Sequence, residues 1–300
     1  MLRAAAFVLA AGLLAAGCGG SSSEAKEEPA VDSLEALWRA PGADVAIVPG
    51  TADFAPGRVR LSFLVIDDEG RVVTRPTARV WIARGLEQKP FAEATARAEK
   101  IGVEGSEEGD ADEIFVTHLD LEEPGKYWVL AEPVGGRKIQ AIGNVVVAAD
   151  STAPTVGDEA IASETPTIES TGGDFAALTT RQPPDRGLLR HSVADSLAAK
   201  VPFVLTFATP RYCTSRTCGP VVDVVDTVRK RYEQDGVRFI HVEIFEDNDP
   251  AKPYNRWVQE WKLPSEPFTF LVGADGLVKE RFEGTLSVRE LGEAVEQHLL

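Results

Sequence analysis

Residues 201 to 220 read Val201-Pro-Phe-Val-Leu-Thr-Phe-Ala208-Thr209-Pro-Arg-Tyr-Cys213-Thr-Ser-Arg-Thr-Cys218-Gly-Pro220. The first eight form a continuous apolar run bounded by polar residues, the pattern of a central strand covered on both faces. Beyond Pro220, Val221, Val224, Val225, Val228 and Tyr232 recur at helical spacing, with Asp223, Asp226, Arg229 and Lys230 between them. The predicted order is strand, loop with two cysteines, helix. A thiol at a helix N-terminus faces unpaired N–H groups and the positive end of the helix dipole, both of which favour the thiolate. Arg211 and Arg216 add to that field. Five residues of continuous helix rise about 7.5 Å, more than the α-carbon separation of roughly 7 Å that a disulfide permits. Part of the stretch from Cys213 to Thr217 must therefore be non-helical if the two sulfurs join.

Further along, Gly236-Val-Arg-Phe-Ile-His-Val-Glu-Ile244 reads as a second strand. Segments at Phe268 to Val272 and Leu277 to Glu283 read as two more, paired through the Ala274-Asp275-Gly276 turn. A last helix is expected from Ser287, where Glu290 completes a capping box and Val288, Leu291 and Val295 face the sheet. From Ala198 to Leu300 the chain resembles the thioredoxin superfamily, in particular its extracytoplasmic TlpA-like branch, in which a strand leads to Trp-Cys-x-x-Cys and a helix. Tyr212 stands for the Trp, and four residues rather than two separate the cysteines. The resemblance implies an α/β thioredoxin-like domain in which Cys213 is the exposed nucleophile and Cys218 the buried resolving thiol. A competing register exists, in which Cys218-Gly-Pro-Val221 imitates Cys-Gly-Pro-Cys with its last member lost. The stretch Leu263-Pro-Ser-Glu-Pro267-Phe-Thr-Phe-Leu-Val-Gly-Ala-Asp-Gly276 looks like the family's Pro-Thr-x-Phe-Leu-Ile-Asp-x-x-Gly segment, which makes Pro267 the candidate cis-proline. Thr206 stands where the family's buried acid lies. Two readings of Glu266, directly before that proline, stay open: it supplies the missing acid, or it is simply exposed.

Toward the N-terminus the reading changes character. Met1-Leu2-Arg3 and the apolar run Ala4 to Leu14 read as a signal peptide, too short to span a bilayer comfortably. Leu14-Ala15-Ala16-Gly17-Cys18 resembles the lipobox of bacterial lipoproteins, which implies cleavage after Gly17 and acylation of Cys18. Two or more acyl chains anchor a protein stably, at roughly 0.8 kcal/mol per buried methylene. The Ser/Gly/Glu-rich stretch 18–34 is then a flexible tether. Residues 35–150 are expected to form an all-β domain. Val59, Leu61, Phe63 and Val65 alternate with Arg58, Arg60, Ser62 and Leu64, and strand-like segments follow at Arg79 to Ala83, Ile114 to Leu121, Lys126 to Ala131 and Ile139 to Val147. Short strands with regular turns suggest a β-sandwich. The segment Leu121-Glu-Glu-Pro-Gly-Lys-Tyr127 resembles the corner tyrosine of immunoglobulin-like (Ig-like) domains. Residues 151–180, rich in Thr, Pro, Ser and Gly, read as an interdomain linker to a second domain over 181–300.

Composition narrows the function classes. A net charge of −16 disfavours nucleic acid and anionic headgroups. Three cysteines, one near the N-terminus and two close together, are too few for a disulfide scaffold. The Glu104 to Glu113 cluster lacks calcium-loop spacing, His118 is alone in a strand pattern, and no cofactor or metal site is expected. The expected function is membrane-anchored, extracytoplasmic thiol–disulfide exchange. Its partners are protein thiols or disulfides, and the resemblance adds a membrane electron donor. Whether the pair oxidises or reduces its substrates stays open. Alternatives from other classes are a Sco-like copper chaperone, for which His241 and His298 are poorly placed as third ligand, a peroxidase, and a redox-inert adaptor with a structural disulfide.

Overall fold

The computed structural model describes residues 32–103, 111–135, 138–212 and 220–300. The lipobox, Cys18, Cys213 and Cys218 lie outside the described residues.

After a short helix, α1 (Leu34–Arg39), seven strands close on themselves: β1 (Ala43–Pro49), β2 (Gly57–Asp67), β3 (Thr77–Ala83), β4 (Ala92–Lys100), β5 (Glu113–Leu121), β6 (Gly125–Val134) and β7 (Ile139–Val147), in the order β1-β2-β5-β4-β3-β6-β7. Period-two alternation turns Leu61, Phe63 and Val65 of β2, Val80 and Ile82 of β3, and Phe115 and Leu119 of β5 into one core. Phe63 stacks on Phe115 at 5.4 Å. The inner face of β4 is entirely alanine, Ala92, Ala94, Ala96 and Ala98, and such small residues make room for large ones on facing strands of a small barrel.

A sandwich was the expectation here, and it is corrected by β1. This strand pairs antiparallel with β2, Ile47 opposite Val65, and parallel with β7, Val45 opposite Ala141. One strand therefore joins what would be two open edges, and closure removes both. The tyrosine corner survives without the sandwich: Tyr127 Oη donates to the Glu123 carbonyl at 2.7 Å. That turn is a local device and does not specify global architecture.

The second unit is a four-stranded sheet in the order β11-β10-β8-β9, built from β8 (Phe203–Phe207), β9 (Arg238–Val242), β10 (Phe268–Val272) and β11 (Val278–Glu283). Only β8 and β9 are parallel. Four helices accompany it: α2 (Val193–Ala198), α3 (Val221–Tyr232), α4 (Arg256–Glu260) and α5 (Val288–His298). On one face α3 and α5 bury Val221, Val225, Val228, Leu291 and Val295 against Val204, Phe239 and Leu271. Phe203, Leu205, Phe207, Phe268 and Phe270 point to the other face. That face is covered by the short α2 and α4 and by extended chain.

The expectation of an α/β thioredoxin-like domain joined to an Ig-like domain is therefore overturned as a description of this protein. It is mostly β, a closed mixed barrel followed by a small sheet, and among the described residues only α3 and α5 exceed six residues. No thioredoxin α/β fold is evident. The apolar run of β8 correctly implied two covered faces, but burial on both faces says nothing about what covers them. Among the described residues no helix is long and apolar enough to cross a membrane.

Residues 151–184, with the composition of a linker, are a packed strap. Gly157 N–H donates to the Val278 carbonyl and Val278 N–H to that of Asp158, both at 2.9 Å, so the strap extends the edge of β11. The strap's Ser163, Thr165 and Thr167 are buried, and Trp261 Nε1 donates to Ser163 Oγ at 3.1 Å. Their hydroxyls and the strap's own backbone bonds let polar chain be buried.

Barrel and sheet are locked together. Arg281 Nη1 meets Asp53 Oδ2 at 2.9 Å and Ser151 Oγ at 2.6 Å, and Glu283 Oε2 accepts from the backbone N–H groups of Ala52 and Asp53. Asp53 is held below the usual carboxylate range: burial opposes this, but Ser151, the Thr152 amide and Arg281 outweigh it. At Gly284, where φ is +73°, a β-carbon would collide with the Gly50 carbonyl oxygen, so only glycine lets the two backbones approach this closely.

Candidate functional site

The chain leaves β8 through Ala208 and Thr209, re-enters the described structure at Pro220, and begins α3 one residue later. Cys213 and Cys218 lie in sequence between those points. Three strand ends meet where β8 finishes. The Ala208 amide donates to the Val242 carbonyl at 3.1 Å, which fixes the end of β9. Phe268 pairs with Phe207, which brings the start of β10, and with it Glu266 and Pro267, to the same end of the sheet. The Glu266–Pro267 peptide bond is cis, as is Gln182–Pro183.

Two acidic side chains, Glu243 and Glu266, come together at this end of the sheet. Glu243, just past β9, is 4% exposed. Its Oε1 accepts from Thr180 N–H at 2.6 Å and Thr180 Oγ1 at 2.8 Å, both contributed by the strap, while Oε2 is buried with no hydrogen-bond partner among the described residues. Thr209 Oγ1 is likewise buried and unpaired. Glu266 is partly buried. Burial and, second, repulsion from Glu243 push its carboxyl pKa up to about 7. Tyr254 is raised by burial and then by Glu266. A carboxyl titrating near neutrality can carry a proton in either direction at physiological pH, as a general acid or base requires.

The surroundings are hydrogen-bonded on several sides. His241 is buried, which pushes its pKa down, and its Nε2 lies 3.0 Å from the Ala208 carbonyl. A neutral ring donating to that carbonyl anchors the strand end. Thr206 Oγ1 pairs with Thr269 Oγ1 at 3.1 Å beneath α3, so the position that resemblance associated with an acid holds a satisfied hydroxyl pair. The strap reaches the same place: Arg211 N–H donates to Thr180 Oγ1 at 3.2 Å, and Arg181 grips Asp223 in the first turn of α3 at 2.6 and 3.0 Å. Pro220 at the N-cap position has no side-chain acceptor for the amides of that turn.

Of the residues singled out from sequence, Glu266 and Pro267 come together at this sheet end, Cys213 and Cys218 lie outside the described residues, and Cys18 lies outside them at the other end of the chain. Glu266 is partly buried rather than exposed. Glu243 and Thr180 went unnoticed. The available signal for Glu243 was a polar residue at the close of an otherwise apolar strand. Thr180 had none, because the strap reads as linker. Trp261 is fully buried, and Trp257 donates Nε1 to the Glu164 carbonyl at 2.9 Å. No family model matches the chain, and no curated protein matches it either.

Proposed function

We propose that this protein catalyses thiol–disulfide exchange through Cys213 and Cys218, tethered by acylated Cys18 on the extracytoplasmic face of a membrane. The observation that supports this best is the Glu266 carboxyl, lifted to about 7 at the sheet end where the chain departs toward both cysteines. In the reducing direction Cys213 thiolate attacks one sulfur of a substrate disulfide. One S–S bond breaks, a mixed disulfide forms, and the released substrate sulfur takes up a proton. Cys218, losing its own proton, then attacks the mixed disulfide. The pair ends oxidised by two electrons and the substrate reduced by two. Each step moves a proton, and Glu266 serves as the local donor or acceptor. The oxidising direction is the same sequence reversed.

The test uses the chain without its signal segment, reduced and offered insulin or a small mixed disulfide. Expected outcomes are reduction by the wild-type protein, a persistent covalent adduct with Cys218→Ser, and no turnover with Cys213→Ser. A reduced protein that neither reduces the probe nor forms an adduct in any of the three forms overturns the proposal.

A further inference from the structure

A second feature lies far from that site. Between the outer face of the barrel and the edge of the sheet runs a cleft of about 1070 Å³, walled by β2, β4 and β5 on one side and by β11 and α5 on the other. The bonds that hold the two walls together account for most of its charges. Arg60 Nε meets Glu290 Oε1 at 2.9 Å, Arg281 meets Asp53, and Arg289 pairs with Glu99 and Glu293. Two arginines on the barrel wall, Arg58 and Arg97, are exposed and form no ion pair with any described residue. Asp120 stands opposite Arg58 in the β2–β5 register without closing a bridge to it.

Placement gives these charges a geometry. Arg58 and Arg60 share the outward face of β2, since Val59 and Leu61 face the core. His118 on β5 is directly opposite Arg60, and Arg97 on β4 pairs with Val116, two residues before it. Arg60 and Arg97 thus flank His118 from the two neighbouring strands; two inter-strand spacings and a two-residue offset put their backbones about 12 Å apart, and Arg58, two residues further along β2, lies about 17 Å from Arg97. Extended arginine side chains reach toward one another across that span. Arg60 is nearly buried, lies over the Phe282 ring at 5.5 Å from its centroid, and holds Nη1 buried with no hydrogen-bond partner. An orphaned guanidinium nitrogen in a native structure calls for an acceptor. His118 feels this field: burial, then Arg58 and Arg60, depress its pKa against the opposing influence of Glu290 and Glu280. The cleft lining balances six carboxylates against six lysines and arginines; with Asp53, Glu99, Glu290 and Glu293 already paired, Arg58 and Arg97 are the arginines left without an ion pair among the described residues. Clefts between folded units, lined by a few convergent polar groups, are where small ligands bind, and arginine forks match the paired oxygens of carboxylate and phosphate.

We propose that this cleft binds a small organic polyanion, carboxylate or phosphate in chemistry, held by Arg58, Arg97 and Arg60 around His118. The site is independent of the thiol chemistry, so either proposal can fail alone. The probes are citrate and inorganic phosphate, each titrated into the signal-free chain at constant ionic strength set with chloride, with thermal midpoint and the His118 ring resonance as readouts. Expected are a saturable rise in midpoint and an upward move of the His118 pKa with at least one probe, the stronger probe identifying carboxylate or phosphate as the preferred group. The Arg58→Ala/Arg97→Ala double variant, which breaks no ion pair among the described residues, should keep its far-UV spectrum and bind at least about tenfold more weakly, since each lost charge-assisted contact is worth more than a neutral one. No saturable response to either probe, or a response that the double variant retains in full, overturns the proposal.

Discussion

Replacing Trp261 by alanine should lower the stability of the sheet unit by about 4 kcal/mol, the upper range for emptying a large aromatic site. Trp261 is fully buried and its ring sits 4.8 Å from Phe270 and 5.6 Å from Phe207. It also joins three parts of the chain, since its Nε1 holds Ser163 of the strap while its ring fills the face that no long helix covers. Two losses follow: a cavity under β8 and β10, and release of the strap near Ser163. The companion Trp261→Phe keeps most of the packing and loses the indole donor, and should cost about 1 kcal/mol. Denaturant unfolding measures both, and amide exchange across 160–167 should rise in the alanine variant well before global unfolding. A loss below about 1 kcal/mol in the alanine variant would mean that the strap and this face are held by something else.

The second large effect concerns charge. Glu266 has a folded-state pKa of about 7 against an ordinary 4.5, so between those values the folded protein keeps a proton that the unfolded chain has released. Stability then falls as pH rises through that window. The contribution is fully present below about pH 4.5 and gone above about pH 7. Glu266→Gln carries no charge to bury and avoids this loss. It should match the wild type near pH 4 and exceed it at pH 8 by up to about 3 kcal/mol, the free-energy equivalent of that displacement. Unfolding curves at the two pH values decide the sign. A variant less stable than wild type at pH 8 would mean that ionising Glu266 costs the folded protein nothing, contrary to its raised pKa.

Acidic groups pushed up by burial and like charge recur where protons are transferred. The cost is concentrated at one end of the sheet. Glu243 is fastened there by the strap, and its unpaired Oε2 keeps the pressure on Glu266.

The sequence disclosed local structure well and closure poorly. Strands β2, β3, β5, β6 and β7 fall where alternation of apolar and polar residues placed them, because a half-buried strand must alternate. The strand β4 escaped notice because its inward residues are alanines, which carry little strand preference and little apolar weight, although Ala-Glu-Ala-Thr-Ala-Arg-Ala keeps a perfect period of two. The strand β1, as long as β3, was missed for want of contrast, and it is the strand that makes a barrel of what five strands suggested was a sandwich. In the second unit the order of strands and the capping box at Ser287 were legible, while the architecture expected from family resemblance was not realised. Strap and linker share a composition, and what distinguishes them is tertiary: the buried hydroxyls of Ser163, Thr165 and Thr167, the backbone bonds to β11 and the Thr180 contacts with Glu243. Glu266 could be singled out for its place before Pro267, but its environment depends on Glu243 and Tyr254, distant in sequence and brought together only by the sheet.

The deciding question is whether Glu266 governs the thiols. Alkylation rates of the reduced protein, followed across roughly pH 5 to 9 for wild type and Glu266→Gln, measure this directly. The expected result is an inflection near pH 7 in the wild-type profile that is absent from the variant, because the thiols feel the carboxyl change charge. Superimposable profiles would contradict the account and leave Glu266 a buried acid without a role in the chemistry of Cys213 and Cys218.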